Sequence, residues 1–248
     1  MNIINKPSIT IDECREWLNN KEEIDQLANE VLDIIWEASL RNGIDPCVLL
    51  AQALIETNYF ISKDHVDNHN TGSLKNASYE YGMFWGYEGD TKFKTWDDGI
   101  NAHSDHLALY AGVEGFPKHN PNSDLYKRDF ITIEAITNDP MHFPYLMGTC
   151  TKVENLCGDW AETEDYGNQL VELVNEMILY TKNKQKAKEK KVSVNTNSLV
   201  KKHEKLQEVC YKKDEECENP YEEICKLKDI IIDLLNEISD LKRELNNK

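Results

Sequence analysis

Gln52 interrupts an apolar run and Glu56 ends it, and the Glu56 carboxylate could carry acid–base chemistry. Every position between Val48 and Ile55 except Gln52 is apolar, which predicts a largely buried helix over residues 46–58. Gln52 and Glu56 are four residues apart, so a helix places both on one face. Burial disfavours a charged carboxylate and favours the protonated form that a general acid needs near neutral pH. Alternatively, Glu56 lies at a frayed helix end and faces water.

The segment that follows Glu56 has the composition of a sugar-binding groove. Aromatic rings supply apolar contact for sugar faces, and amides supply hydrogen bonds. These side chains are Tyr59, Phe60, Asn68, Asn70, Tyr79, Tyr81, Trp85, Tyr87 and Trp96. From this set we predict that Asn68, Tyr81 and Trp85 contact the substrate. We predict the same for Gln52, which shares the helix face of Glu56.

A second carboxylate would complete a hydrolytic pair. Paired carboxyl groups of glycoside hydrolases stand about 5–9.5 Å apart. Glu80 is the leading candidate because it lies among aromatic residues in a segment expected to form a hairpin. The alternatives are Glu88, Asp90 and Asp64, and any of these carboxylates could instead be a solvated loop residue.

Other chemistry-bearing residues have simpler explanations. His103 and His106 are three residues apart on a predicted helix and could share a metal, but no third ligand stands at a telling spacing. Helix packing accounts for them better, so we predict no metal and no other cofactor. Trp36 and Trp160 are interpreted as core anchors.

Composition argues against several classes of function. The 248 residues carry 45 Asp+Glu against 28 Lys+Arg, and a net charge of −17 disfavours binding to nucleic acid or to anionic membranes. No stretch of about 18 apolar residues predicts a membrane span. Seven cysteines without a CxxC pair, and an N-terminus without a signal-peptide pattern, lead us to expect synthesis in the cytoplasm.

The elements that must position these residues are mainly helical. Thr10 and Glu13 form a capping-box pattern, and a helix over residues 22–41 should end at Asn42-Gly43. Asp45-Pro46 should open the helix that carries Glu56. Residues 61–98 predict loops and a short β-hairpin, and helices should resume at about 98–112 and 163–181. We predict a mainly α fold with a small β part for a catalytic domain over residues 1–180.

The C-terminal part has a different composition. Residues 181–203 contain eight Lys and one Glu and are predicted to be a Lys-rich linker, and the charge changes abruptly near residue 181. Residues 204–248 predict a helical segment with an a/d heptad stripe. Ile224, Ile231, Ile238 and Leu245 occupy a, and Leu227, Leu234 and Leu241 occupy d. This pattern favours a parallel two-stranded coiled coil, hence a homodimer through residues 224–245. The alternative is one amphipathic helix that folds back on the catalytic domain.

Four ordered blocks resemble the glucosaminidase domain of bacterial autolysins and phage lysins. They are GIDPCVLLAQALIETNYF, FKTWDDGINAHSDHLALYAG, HFPYLMGTCTKVENLCGDWA and DYGNQLVELVNEM, spread over about residues 10–180. The resemblance implies a lysozyme-like fold and hydrolysis of the β-1,4 bond after N-acetylglucosamine in peptidoglycan. It implies that Glu56 is the catalytic acid and Tyr166 an active-site tyrosine that orients the groove or stabilises the oxocarbenium-like transition state.

One block departs from the family pattern. In NHNTGSL, Asn68 and Gly72 match the family motif N-N-P-F-G-I, whereas His69, Asn70, Thr71 and Ser73 differ. The resemblance makes Asn68 and Gly72 substrate-binding candidates, with peptidoglycan glycan strands as the partner. A lytic transglycosylase on the same fold and a non-catalytic wall-binding or assembly protein are the alternatives. We expect a lysin of a phage or prophage, or an autolysin.

Overall fold

The computed structural model describes residues 1–80, 83–118, 136–158, 160–161, 163–211 and 220–246. The predicted site residue Tyr81 lies outside this set, as do the side chains of Glu80 and Trp85. The chain divides into two compact units, Met1–Thr181 and Lys182–Lys248. Across the described helices, none combines the length and the apolar content that crossing a membrane requires.

Two capped helices open the first unit. Helix α1 (Ile11–Leu18) follows Thr10, whose hydroxyl accepts a hydrogen bond from the Glu13 backbone N–H while the Glu13 carboxylate accepts one from the Thr10 N–H. This is the predicted capping box. Helix α2 (Leu27–Asn42) ends at Gly43, whose φ of 69° is a left-handed conformation that glycine adopts at low cost.

Helix α3 (Pro46–Glu56) is the buried helix that the apolar run predicts. The Asp45 carboxylate caps it by accepting a hydrogen bond from the Cys47 backbone N–H at 3.0 Å. All but its last two residues are buried, Gln52 included. Since core surrounds the helix along most of its length, the partly exposed last turn is where Glu56 meets the surface.

A short helix and a β-hairpin follow. Helix α4 spans Lys63–Asp67, and strands β1 (Lys75–Glu80) and β2 (Met83–Asp90) pair antiparallel. Lys75 lies opposite Asp90 and forms an ion pair with it at 2.9 Å. The small sheet predicted for this region is confirmed.

Helix α5 (Trp96–Ala111) packs against α2 and α3 and closes the core. Its N-cap is Thr95, whose hydroxyl accepts a hydrogen bond from the Asp98 backbone N–H at 3.1 Å. Two short 3-10 helices, Pro144–Leu146 and Val153–Leu156, then lead towards the final helix of this unit. In its described residues the first unit is therefore mainly helical with a small hairpin, which confirms the predicted fold class.

Helix α6 spans Tyr166–Tyr211. The Lys-rich segment 181–203 therefore lies within a helix. Its polar composition alone predicts a linker. Lys, Gln, Ala and Glu are good helix formers, so this segment can remain helical without an apolar face. The interpretation as a linker rests on polarity and gives too little weight to these helix formers, and for this reason it does not predict the helix.

Helix α7 (Pro220–Asn246) carries the predicted heptad stripe. Lys202 forms an ion pair with Glu237 in this second unit. Ile231 and Ile238, at two a positions, are 48% and 42% exposed. The helix is as predicted, whereas the coiled coil stays a prediction. The side chains of Ile224, Leu227, Leu241 and Leu245 lie outside the described set.

Candidate active site

Glu56 accepts two hydrogen bonds on one carboxylate oxygen. The phenol O–H of Tyr166 donates to Glu56 Oε1 at 2.5 Å, and the indole Nε1–H of Trp160 donates to the same atom at 3.1 Å. Glu56 and Trp160 are partly exposed, whereas Tyr166 is buried. The structure thus brings the predicted acid and the predicted tyrosine into direct contact, although 110 positions separate them in the chain.

An abrupt left-handed turn ends α3 directly after the carboxylate. Residues 58–60 have φ values of 48°, 59° and 63°, although none is glycine. Each such residue costs about 1–2 kcal/mol, and strain of this kind is often found at functional sites. The buried Thr57 hydroxyl holds the turn by donating to Ala53 O at 2.6 Å and accepting from the Phe60 N–H at 2.8 Å. The turn keeps Glu56 from being covered by another turn of helix.

The start of α6 delivers Tyr166 to Glu56, and Gly167 makes the approach possible. A Cβ at Gly167 would lie 2.6 Å from Val153 O and 2.7 Å from both Cα and O of Glu154. Real Cβ atoms do not come this close to backbone, so any side chain here would push the helix start outward. The sequence motif Tyr-Gly therefore combines the functional group with the residue that allows its placement.

The protonation state of Tyr166 follows from its surroundings. Burial, and next the negative charge of Glu56, raise the pKa of the Tyr166 phenol well above its ordinary value. The phenol therefore remains an O–H donor throughout the neutral range. It supports the carboxylate and does not act as a base.

Gln52, predicted to contact the substrate, lies behind the site instead. It is fully buried, and its Oε1 lies 3.2 Å from His103 Nε2, while the Thr71 hydroxyl lies 3.0 Å from His103 Nδ1. Burial lowers the pKa of His103 to about 3, so the ring is neutral, with Nε2–H donating to Gln52 and Nδ1 accepting from Thr71. Gly72 is also a packing residue, since a Cβ there would lie 2.8 Å from His103 Cδ2. Both residues therefore have structural contacts with His103, and their predicted contacts with the substrate stay predictions.

A buried cluster of two histidines and one aspartate lies behind Trp160. His106 and His142 each bond through Nδ1 to Asp139 Oδ2 at 2.9 Å, and we call these three residues the His–Asp cluster. The Lys118 backbone N–H donates to His142 Nε2 at 2.8 Å, so His142 carries its proton on Nδ1. Burial opposes the charge of Asp139, but His106 and the two hydrogen bonds lower the pKa of Asp139 to about 2.

Trp160 joins the buried layer to the carboxylate. Its ring centroid lies 5.4 Å from that of His103, 4.9 Å from that of His106 and 5.6 Å from that of Tyr110. Sequence reasoning treats Trp160 as a core anchor and misses its contact with Glu56, which stands 104 positions earlier. The two histidines of α5 serve packing, and no metal-binding group of His, Cys, Asp and Glu occurs within the described residues.

The predicted groove is described in part. Asn68 is partly exposed at the end of α4, and the partly exposed Trp96 packs edge-on against His69 at 4.9 Å. Tyr87 and Tyr145 present further exposed rings. Aromatic surface of the kind that sugars bind therefore occurs on this unit. The contributions of Tyr81 and Trp85 remain predictions, because their side chains lie outside the described set.

The second carboxylate also remains a prediction. The side chain of Glu80 lies outside the described set. Of its alternatives, Glu88 accepts a hydrogen bond from the Ser78 hydroxyl at 2.7 Å, and Asp90 is paired with Lys75. Asp64 is exposed in the first turn of α4.

Comparison with known proteins finds a matching family model and a similar solved structure. A family model named Glucosaminidase, described as mannosyl-glycoprotein endo-β-N-acetylglucosaminidase, matches residues 32–179. The crystal structure of the catalytic domain of the autolysin Auto from Listeria monocytogenes is similar at 13% identity, with a TM-score of 0.36. That similarity covers 70% of this chain and 99% of the Listeria chain. A comparison with curated proteins gives no significant match.

Proposed function

This chain belongs to the glucosaminidase family, and we propose that it hydrolyses the β-1,4 bond after N-acetylglucosamine in peptidoglycan. Membership of this family makes it a glycoside hydrolase. The observation that carries the proposal is the Glu56 carboxylate, which ends a buried helix at partly exposed surface with two donors on Oε1.

The proposed reaction begins with proton transfer from Glu56 to the glycosidic oxygen. The bond between C1 and that oxygen breaks as positive charge develops on the sugar ring. The Tyr166 and Trp160 donors stabilise the carboxylate that remains on Glu56, because hydrogen bonds to a charged acceptor are stronger than those to a neutral one. A water molecule then adds to C1. Either Glu80 accepts the proton of this water, or the 2-acetamido group of the substrate first captures C1 and the Glu56 carboxylate takes the proton from the water.

A conservative substitution tests the role of Glu56. Glu56→Gln keeps the shape of the side chain but removes the acid, and it should abolish the loss of turbidity of a cell-wall suspension. Glu37→Gln, which neutralises an exposed carboxylate on α2, is the matched control and should retain activity. If the unmodified protein shows no lysis, or Glu56→Gln lyses equally well, the catalytic proposal is wrong and a wall-binding role gains support.

Product analysis separates the two enzymatic candidates. Hydrolysis leaves new reducing N-acetylglucosamine ends, whereas a lytic transglycosylase leaves anhydro-muramyl ends. Mass spectrometry of a wall digest distinguishes them. Detection of anhydro products alone would replace the proposed activity with the transglycosylase.

We also propose that the enzyme acts as a lysin made in a reducing compartment. Cys14, Cys47, Cys150 and Cys157 are free thiols, which supports synthesis where disulfides do not persist. Burial raises the pKa of Cys14 to about 12, so this thiol is inert. Labelling of cysteines in freshly purified protein under denaturing conditions should find all seven in the thiol form.

We further propose that α7 pairs with a second copy of the chain. The proposal is supported by the Ile and Leu heptad positions and by the exposure of Ile231 and Ile238. In the full-length chain, Ile231→Asp combined with Ile238→Asp should convert a dimer into a monomer in sedimentation. Asn236→Asp, on an exposed polar position of the same helix, should leave the mass unchanged. A monomeric wild-type protein would refute the pairing.

A further inference from the structure

Both protein donors at the site reach the same oxygen of Glu56. Trp160 Nε1–H and Tyr166 O–H each point to Oε1, and no group among the described residues donates to Oε2. A carboxyl oxygen offers two lone pairs, so two donors fill Oε1. When Glu56 is a neutral acid, its proton must therefore reside on Oε2.

We propose that Trp160 is a positioning residue which, together with Tyr166, fixes Oε1 as the carbonyl oxygen of Glu56 and directs the acidic Oε2–H to the glycosidic oxygen. The inference rests on the proposed hydrolase activity. In the step, the Oε2–H bond breaks and its proton moves to the glycosidic oxygen. The electrons of the C1–O bond leave with that oxygen, and Glu56 becomes a carboxylate whose charge the donors at Oε1 share.

The surroundings of Trp160 fit this role. The indole ring packs against His103, His106 and Tyr110, so its N–H direction is set by rings on α5. The His–Asp cluster in turn fixes the ring of His106 through the buried Asp139. A core anchor would need only the apolar ring, whereas the aligned N–H adds a hydrogen bond to the reacting group.

Trp160→Phe removes the N–H and keeps an aromatic ring. It should lower kcat about 10- to 100-fold, the loss expected for one hydrogen bond to a charged group, and leave KM nearly unchanged. The matched control is Trp17→Phe. Trp17 is buried, and its indole N–H has no hydrogen-bond partner among the described residues, so kcat should stay as in the wild type.

A spectroscopic readout decides the inference independently of turnover. In a ¹H–¹⁵N spectrum, the indole N–H signal of Trp160 should lie downfield in the wild type and move upfield in Glu56→Ala, which removes the acceptor. An active Trp160→Phe with the wild-type kcat would overturn the positioning role while leaving the hydrolase proposal intact. If the wild type is inactive or Trp160→Phe does not fold, the indole signal still decides: a signal that is unchanged in Glu56→Ala refutes the contact with Glu56.

Discussion

Replacing Gly167 with alanine should separate Tyr166 from Glu56 and lower kcat about 100-fold. The new Cβ would lie 2.6 Å from Val153 O and 2.7 Å from backbone atoms of Glu154, whereas ordinary contact begins at 3.4 Å. Relief of the overlap moves the start of α6 by about 0.8 Å. The Tyr166–Glu56 hydrogen bond of 2.5 Å then lengthens to as much as about 3.3 Å, beyond the range of an O–H···O bond. Displacements on the order of 1 Å at a catalytic group cost about two orders of magnitude in rate.

Gly43→Ala provides a control with a comparable loss of stability. A Cβ at Gly43 meets nothing within 4 Å, so its penalty comes from the left-handed φ of 69° alone. That penalty is about 1–2 kcal/mol, against about 1–3 kcal/mol for the overpacking at Gly167. Gly43 ends α2, away from Glu56, so its variant should lose stability and keep kcat.

The assay compares both variants at a temperature at which circular dichroism finds each folded. Initial rates of turbidity loss and of reducing-end release give kcat and KM. The expected outcome is a large loss of kcat for Gly167→Ala alone. If both variants have the same kcat within about twofold, the start of α6 tolerates the displacement and the geometric reasoning fails.

Three further perturbations follow from the structure. The pKa of Asp139 is lowered from 3.8 to about 2, so its contribution to stability is present above pH 3.8 and is lost as the pH falls towards 2, a loss of about 2 kcal/mol. Asp139→Asn should lack this part of the acid dependence in urea titrations and be less stable at pH 7; an unchanged acid slope would contradict the assignment. Thr57→Val should lower the free energy of unfolding by about 1–3 kcal/mol because it removes both hydrogen bonds of the buried hydroxyl, whereas Thr57→Ser should retain stability. Residues 1–180 carry 12 Lys+Arg against 31 Asp+Glu, so lysis of walls rich in anionic polymer should rise as salt approaches about 0.1 M, where the Debye length falls to about 10 Å. A steady fall in rate from low salt would refute this repulsion.

Local rules predict the elements that carry the site. Thr10 with Glu13, Gly43 and Asp45 each satisfy backbone groups within a few residues, so their signals are readable from sequence. The apolar run that contains Glu56 likewise predicts its own burial. The long helix α6 is the exception, since helix propensity there outweighs the polar composition that suggests a linker.

Contacts between distant segments are not readable in this way. Trp160 donates a hydrogen bond to Glu56, and no spacing rule joins positions 104 residues apart. The His–Asp cluster has the same character, since His106 and Asp139 are 33 positions apart and share no periodic pattern. Tyr166 is predicted from the resemblance to a family. The spacing of residues alone does not predict its contact with Glu56.

The different fates of Gln52 and Glu56 show why a shared helix face does not imply a shared role. Four residues of α-helix separate the two side chains by about 6 Å along the axis. Core surrounds α3 until its last turn. Gln52 is therefore fully buried beside His103, whereas Glu56 lies at partly exposed surface. The left-handed turn at residues 58–60 then prevents the helix from continuing over the carboxylate. The end of the helix, more than its face, therefore determines which polar residue can reach a substrate.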